Sequence, residues 1–309
     1  MIRFGLCCLF KEENIKFKIA TAKSLLYLEK PIQLNKISEL CLSNVKNILK
    51  ALEFLNGKGI KAFRISSRIF PLYTHPKFGY TIKQLKDNKE IFNTLDLIKN
   101  YAKTNDIRLS FHPDQFVLLS SSNPEILERS INELDYQAKV ADFVGADVMN
   151  IHLGGSYGNK AEALKIVEKN FNSQLSENVR NLLTIENDDR IYAPKDVYEI
   201  CKKLGVRMVY DVHHHRCNPD GLSVEKVTEL CISTWEQRGD PYFHISSPRD
   251  GWCSKRPQSH SDYIDIADFP LDWLNLNLNV TIDVEAKNKE LAIFKLIKDL
   301  NTKFPSGFH

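Results

Sequence analysis

Five imidazoles and three carboxylates recur along this chain, each at or just after the C-terminal end of an apolar run. In order they are His75, His112, His152, Glu186, Asp211, His214, His244 and Glu285, and the runs read LSFHP, MNIHLGG, LTIEND, VYDVHHH, FHISS and TIDVEA. Only His75 stands away from its strand, in the loop after FRIS. His, Asp and Glu are the ligands that divalent Zn, Mn or Fe prefer. A cup of eight such groups has room for two or three ions. Cations clustered a few ångströms apart suit displacement at phosphorus, one generating hydroxide near neutral pH while others hold the phosphoryl oxygens and the leaving group.

Taken singly, a histidine after an apolar strand is more often a satisfied polar residue than a ligand, so the pattern matters more than any member. The Asp-x-x-His spacing lets Asp211 and His214 reach one ion, which leaves His213 and His215 as bystanders or as groups that orient ligands. Glu186 ends a strand, where burying a carboxylate is costly without a cation or a donor. A central carboxylate there can bridge ions, and Glu186 and His244 are the residues expected to carry catalysis. Asp188 and Asp189 follow in a turn and read as caps or solvated groups. Glu285 is favoured over Asp283, which shares its face of the strand. No Gly-x-x-x-x-Gly-Lys or Gly-x-Gly-x-x-Gly run is present, so a nucleotide cofactor is unsupported, and no Gly-x-Ser-x-Gly elbow points to a serine hydrolase.

Strand-like runs at residues 1–7, 60–65, 106–112, 147–153, 181–187, 206–212, 241–246 and 279–285 alternate with helical patterns. ISELCLSNVKNILKALEFLNGKG places apolar residues at i, i+3, i+4 and i+7 before a glycine stop. In SSNPEILERSINELDYQAKVADFVGA, Asn123 is the expected cap, Pro124 the first turn and Gly145 the end. APKDVYEICKKLG and SVEKVTELCISTWEQRG repeat the scheme. An open doubly wound sheet gives the same alternation, but it would concentrate its site at one switch point. Eight strands with polar residues spread over many strand ends favour a closed (β/α)8 barrel, whose strand ends converge over one mouth. With no linker or composition break, residues 1–309 read as a single barrel domain. Long loops at 66–83, 213–222 and 247–264, and an excursion at 8–35, are expected over that mouth.

A hydrophobic content of 43% supplies a core, and a net charge of +3 confines any nucleic-acid contact to local basic patches. The seven cysteines are an odd set without a CxxC pair and read as reduced residues of an intracellular, cytoplasmic protein. MIRFGLCCLF runs straight into KEENIKFK, which suits a first strand better than a secretory leader. No apolar run approaches the roughly 20 residues of a membrane helix.

FRISSRIFPLYTHP, SFHPDQFVLLSSSNPEI, NIHLGG, ENDDR, VYDVHHHRCNP, HISSPR and SHSDYID resemble the UV damage endonuclease family, from IRFGL to TIDVEAKNKE. The resemblance implies a xylose-isomerase-like barrel carrying a trinuclear cluster, commonly of manganese, with zinc or cobalt as alternatives. It implies incision of one strand of damaged double-stranded DNA immediately 5′ to cyclobutane pyrimidine dimers, 6-4 photoproducts or abasic sites, leaving a 3′-hydroxyl. It carries the ligand roles onto the same eight residues. Gln115 and Phe116, in HPDQF, match the pair that the family inserts into the duplex; the other reading of Phe116 is a core residue. Two departures stand out: Leu6, which can still wedge but cannot donate a hydrogen bond, replaces a tyrosine after Arg-x-Gly, and Tyr242 replaces a modifiable lysine two residues before His244. Arg68, Lys77, Arg249, Lys255 and Arg256, interleaved with Phe70, Tyr73 and Trp252, are candidate phosphate contacts, and His260 either contacts the scissile phosphate or is structural. A metal-dependent sugar isomerase and an abasic-site endonuclease without photoproduct activity are the competing enzyme classes, and a monomer is expected.

Overall fold

Eight short apolar segments pair side by side in chain order until the last meets the first. They are β1 (Ile2–Cys7), β2 (Ala62–Ile65), β3 (Arg108–Phe111), β4 (Val148–His152), β5 (Leu183–Glu186), β6 (Arg207–Asp211), β7 (Tyr242–Ile245) and β8 (Val280–Val284). All pairings are parallel and the sheet is a closed barrel. The structure, a computed structural model, describes residues 1–304. The helices are α1 (Ala22–Leu25), α2 (Lys30–Gly57), α3 (Asn88–Thr104), α4 (Pro124–Val144), α5 (Lys160–Gln174), α6 (Glu177–Leu182), α7 (Pro194–Leu204), α8 (Val212–Cys217), α9 (Val224–Ser233) and α10 (Glu290–Lys303). None of them is long and apolar enough to cross a membrane.

The punctuation read from the sequence sets the helix ends. Asn123 caps α4 by accepting from Glu125 N at 2.9 Å, and Gly145 ends it in the left-handed region at φ 74°. Two boundaries differ from the periodic pattern. The second helix starts at Lys30, ahead of Ile37, because Pro31 presets the first-turn φ of a polar lead-in that carries no apolar stripe. The ninth stops at Ser233, and Trp235 turns inward to donate from Nε1 to the Met208 carbonyl at 2.6 Å.

The barrel interior is polar in two layers. At the N-terminal end of the strands Arg3 pairs with Asp106 and Asp240, and Arg108 with Asp147 at 2.8 Å. Arg108 and Arg207 lie 5.2 and 4.9 Å over the ring of Trp235, which closes the floor. Above that floor Tyr242 donates to Asp283 at 2.9 Å, and Asp283 accepts from Arg64 at 2.9 Å. Gly5 faces this second layer, and a Cβ on it would meet Asp283 Oδ1 far inside van der Waals contact. Gly5→Ala is therefore expected to destabilise the fold by about 1–3 kcal/mol, read as a lower urea midpoint with an unchanged slope. An unchanged midpoint would show that Asp283 has room to move.

Candidate metal centre

Strand register brings the predicted side chains together. His152 on β4 pairs with Glu186 on β5, and Asp211 on β6 pairs with His244 on β7. Glu186 is 1% exposed and stands at the middle. Its Oε2 lies 3.2 Å from His112 Nε2 and 3.8 Å from His152 Nε2, and accepts a short hydrogen bond from the Asn150 amide. Its Oε1 lies 3.3 Å from His214 Nδ1 and 3.0 Å from His244 Nδ1. Burial pushes this carboxyl up, but His244 and His152 together with the bonds to His112 and His214 outweigh it and hold Glu186 well below the usual carboxylate range. His112 Nδ1 is 3.1 Å from the Pro113 carbonyl, which can only accept, so Nδ1 donates there and the ring is oriented with Nε2 toward Glu186.

The Asp-x-x-His spacing has a local cause. Asp211 ends β6 and is also the N-cap of α8, where its Oδ1 accepts from His214 N at 2.8 Å. That turn folds the His214 ring back over the strand end, with Nδ1 at 3.0 Å from the Asn187 carbonyl and 3.5 Å from Asp211 Oδ2. Asn187 clamps Asp211 from both sides, accepting from its N–H at 3.0 Å and donating to its carbonyl at 2.8 Å. Burial lowers the affinity of His214 for a proton, but Asp211 and Glu186 raise it more, well above the ordinary value.

At the other side of the cup Glu285 Oε1 is 3.5 Å from His244 Nδ1 and 2.6 Å from Arg64. His260 Nδ1 is 3.7 Å from Glu285 Oε2. Burial raises the Glu285 carboxyl, but Arg64, His244 and His260 together outweigh it and leave it well below the usual range. Burial lowers His244, but Glu186 and Glu285 together raise it above its ordinary value, whereas burial keeps His152 below its own.

Two groups have the close spacing that a cation needs: His112, His152 and Glu186, and Glu186, Asp211 and His214. They share Glu186, so each carboxylate edge can serve one ion. Asp211 Oδ2 is buried without a hydrogen-bond partner among the described residues. Glu186, Asp211, Asp283 and Glu285 bring four carboxylates to the cup, where Arg64 is a fixed positive charge and any other positive charge is a proton on a histidine. An unpaired buried acceptor and an excess of carboxylate fit divalent cations.

His75 does not join this set. Its Nδ1 accepts from Lys77 N at 3.1 Å and Phe78 N at 3.3 Å, and it lines a cavity of about 850 Å3 between the loops after β2 and β3, α4 and residues 19–21. Phe116, 71% exposed, lines the same cavity, whereas Gln115 lines a hollow of about 270 Å3 with His152, Asp188, Arg190 and His214. The two residues form a ridge between the hollows. Arg249, Lys255 and Arg256 are exposed in the loop after β7, and Arg68 is exposed after β2; Arg68 pairs with Asp114 at 2.5 Å and Arg249 with Asp250 at 2.9 Å.

Other readings are corrected by packing. Leu6 is fully buried in β1 and is no wedge for a duplex, and Phe70 is buried rather than free to stack on a base. Tyr242 turns to Ser110 and Asp283, not to the ligands. Asp188, by contrast, is a loop cap as expected, accepting from Arg190 N, Ile191 N and Tyr192 N. Arg64, Asn150 and Asn187 are site residues that the sequence pattern does not single out; the signal available is a polar residue inside or directly after an otherwise apolar run.

With that geometry in hand, likeness to known proteins is specific. A family model described as UV-endonuclease UvdE matches residues 2–305. The UV DNA damage endonuclease of Bacillus cereus (strain G9842) is 32% identical over 293 residues, covering 92% of this chain and 89% of that protein. The UV DNA damage endonuclease of Bacillus mycoides (strain KBAB4) is 32% identical over 294 residues, with the same coverage. Among solved structures, SacUVDE superposes with a TM-score of 0.85 at 30% identity, covering 98% of this chain and 99% of that one. Endonuclease IV from Thermus thermophilus superposes with a TM-score of 0.60 at 12% identity, over 97% of this chain and 99% of that one, and shares the barrel fold. The chain belongs to the UV-endonuclease UvdE family and is an endonuclease acting on phosphodiester bonds.

Proposed function

We propose that this chain, a single barrel domain working as a cytoplasmic monomer, incises double-stranded DNA immediately 5′ to UV photoproducts and abasic sites, leaving a 3′-hydroxyl. The photoproducts are cyclobutane pyrimidine dimers and 6-4 photoproducts. The observation that carries the reading is Glu186, a buried carboxylate shared by two ligand groups at the mouth of the barrel. His112, His152, Glu186, Asp211, His214, His244 and Glu285 would hold two or three divalent ions, manganese foremost. His75 joins them only if its ring gives up its backbone partners, and His244 only if its ring gives up the proton that Arg64 keeps on Nδ1. When bound, such ions supply Lewis acidity and a nucleophilic water near neutral pH.

The protein's own part is orientation. Asn150 fixes Glu186, Pro113 fixes the His112 tautomer, and Asn187 fixes Asp211. Protons and cations compete for this cup, because His214 and His244 hold protons more firmly than free imidazole. Arg68, Arg249, Lys255, Arg256 and His260 border it as backbone contacts, and Gln115 and Phe116 are the wedge that enters where a lesion leaves the stack.

Supercoiled plasmid, irradiated or not, tests the reading with manganese or EDTA present. Irradiated plasmid is expected to be nicked with manganese and spared with EDTA, and Glu186→Ala is expected to lose both metal and nicking, with His75→Ala losing less metal. Cutting that survives EDTA in a metal-free sample would sink the cluster.

Charge contacts carry a second expectation. Each Ala replacement among Arg249, Lys255 and Arg256 should flatten the slope of log affinity against log salt by about one unit, measured by fluorescence anisotropy on a labelled duplex. A triple variant with wild-type affinity and slope would place these residues off the DNA path.

Recognition separates from chemistry at the ridge. The Gln115→Ala/Phe116→Ala variant should lose roughly 1–3 kcal/mol of stacking per base, keep its metal content, and cut irradiated and intact plasmid with little discrimination. Full discrimination by that variant would move recognition elsewhere in the mouth.

A further inference from the structure

Arg64 is buried against the ligand cup, and its guanidinium meets three partners there. It lies 2.9 Å from Asp283 Oδ2, 2.6 Å from Glu285 Oε1 and 3.0 Å from His244 Nε2. Glu285 is a candidate ligand and His244 Nδ1 faces the central Glu186, while Asp283 is no ligand, because its other oxygen accepts from the Tyr242 hydroxyl at 2.9 Å. That hydroxyl is held in turn by Ser110 Oγ at 3.0 Å. Arg64, Asp283, Tyr242 and Ser110 are all buried, and Gly5 leaves the space that Asp283 needs. Ser110 on β3, Arg64 on β2, Asp283 on β8 and Tyr242 on β7 thus form one chain of contacts beneath the mouth.

We propose that Arg64 is a positioning residue of the metal centre, aimed from below by Tyr242 and Asp283 and holding Glu285 and His244 from behind so that their other atoms face Glu186. The inference rests on the metal reading above. It follows from what the guanidinium can and cannot do. It never gives up its charge and only donates, so His244 Nε2 accepts from it, which keeps the proton of the neutral ring on Nδ1, 3.0 Å from Glu186 Oε1, and fixes the ring as a donor to the central carboxylate. Its planar fork spans two carboxylates at once, whereas the ammonium of a lysine is a point charge that must choose. A fixed positive charge here also spares the cup one cation: Asp283 and Glu285 are partly neutralised before any ion arrives. The position two residues before His244 is a tyrosine whose hydroxyl serves the arginine through Asp283.

The test uses the full chain, freed of metal with EDTA, dialysed, and titrated with cobalt(II) alone. Calorimetry reads affinity, visible absorption of the bound cobalt reads ligand geometry, and thermal melting of the metal-free protein reads the fold. Arg64→Lys keeps the charge and loses the fork, and it is expected to weaken cobalt binding by about 10- to 100-fold and to shift the visible bands. Tyr242→Phe keeps the packing and loses the bond to Asp283, and it should move both readouts the same way by less. A lowered melting temperature with wild-type cobalt affinity and spectrum in Arg64→Lys overturns the proposal and leaves Arg64 a structural residue. Should Arg64→Lys fail to fold, Tyr242→Phe decides: wild-type affinity and spectrum in that variant overturn it. A wild-type chain that takes up no cobalt overturns the metal reading itself, whereas wild-type binding matched by both variants overturns this inference alone.

Discussion

Removing the Glu186 carboxylate from water imposes the condition that the rest of the mouth satisfies. A buried ionised carboxylate costs several kcal/mol unless partners replace its lost hydration. Those partners come from β3, β4, β7 and the turn after β6: His112, Asn150 and His152, His244, and His214. No single strand supplies enough of them, so the site exists only when the barrel has closed in the observed register. A one-residue slip between β4 and β5 would turn every interior side chain of the slipped strand outward and leave Glu186 bare.

Closure raises a second problem, because a barrel interior lined with charge must pair every charge. The chain solves it in layers. Arg3, Arg108 and Arg207 take carboxylates or backbone carbonyls at the floor, and Trp235 covers two of the guanidiniums. Arg64 takes Asp283 and Glu285 above them. Buried ion pairs of this kind contribute little net stability, since desolvation consumes most of the attraction. Their value here is placement, and Asp211 Oδ2, a buried acceptor left without a partner, lies at the top, where the ligand groups share Glu186.

This layering decides what the sequence can disclose. The eight strands are legible because a parallel barrel buries both strand faces, so each strand reads as an apolar run. The ligands are legible because they stand at the ends of those runs, and Asp211 with His214 because cap geometry gives their spacing a cause. Arg64 in AFRI, Asn150 in VMNIH and Ser110 in RLSF are easily passed over. In an antiparallel sheet such residues would mark a solvated face; in a closed parallel barrel no face is solvated, so each marks the interior. Direction and loop conformation are less accessible. Leu6 and Phe70 carry the right chemistry for a wedge or a stack but point into the core, and His75 has the right type but spends its Nδ1 on its own loop. Such outcomes depend on side-chain angles that pattern alone does not encode.

The loop after β3 joins the two halves of the problem. Pro113 and Asp114 are all that separate His112 from the Gln115–Phe116 ridge, and both are tied down: Pro113 is buried with its carbonyl on His112 Nδ1, and Asp114 is paired with Arg68. The ridge therefore cannot move far without turning the His112 ring away from Glu186. Phe116 keeps 71% of its surface in water, an apolar area that gains from being covered and that the fold itself leaves uncovered. An exposed aromatic four residues beyond a half-buried imidazole is placed by the same loop that places the ligand. Whatever occupies the ridge is thereby set at a fixed distance from the carboxylate at the centre.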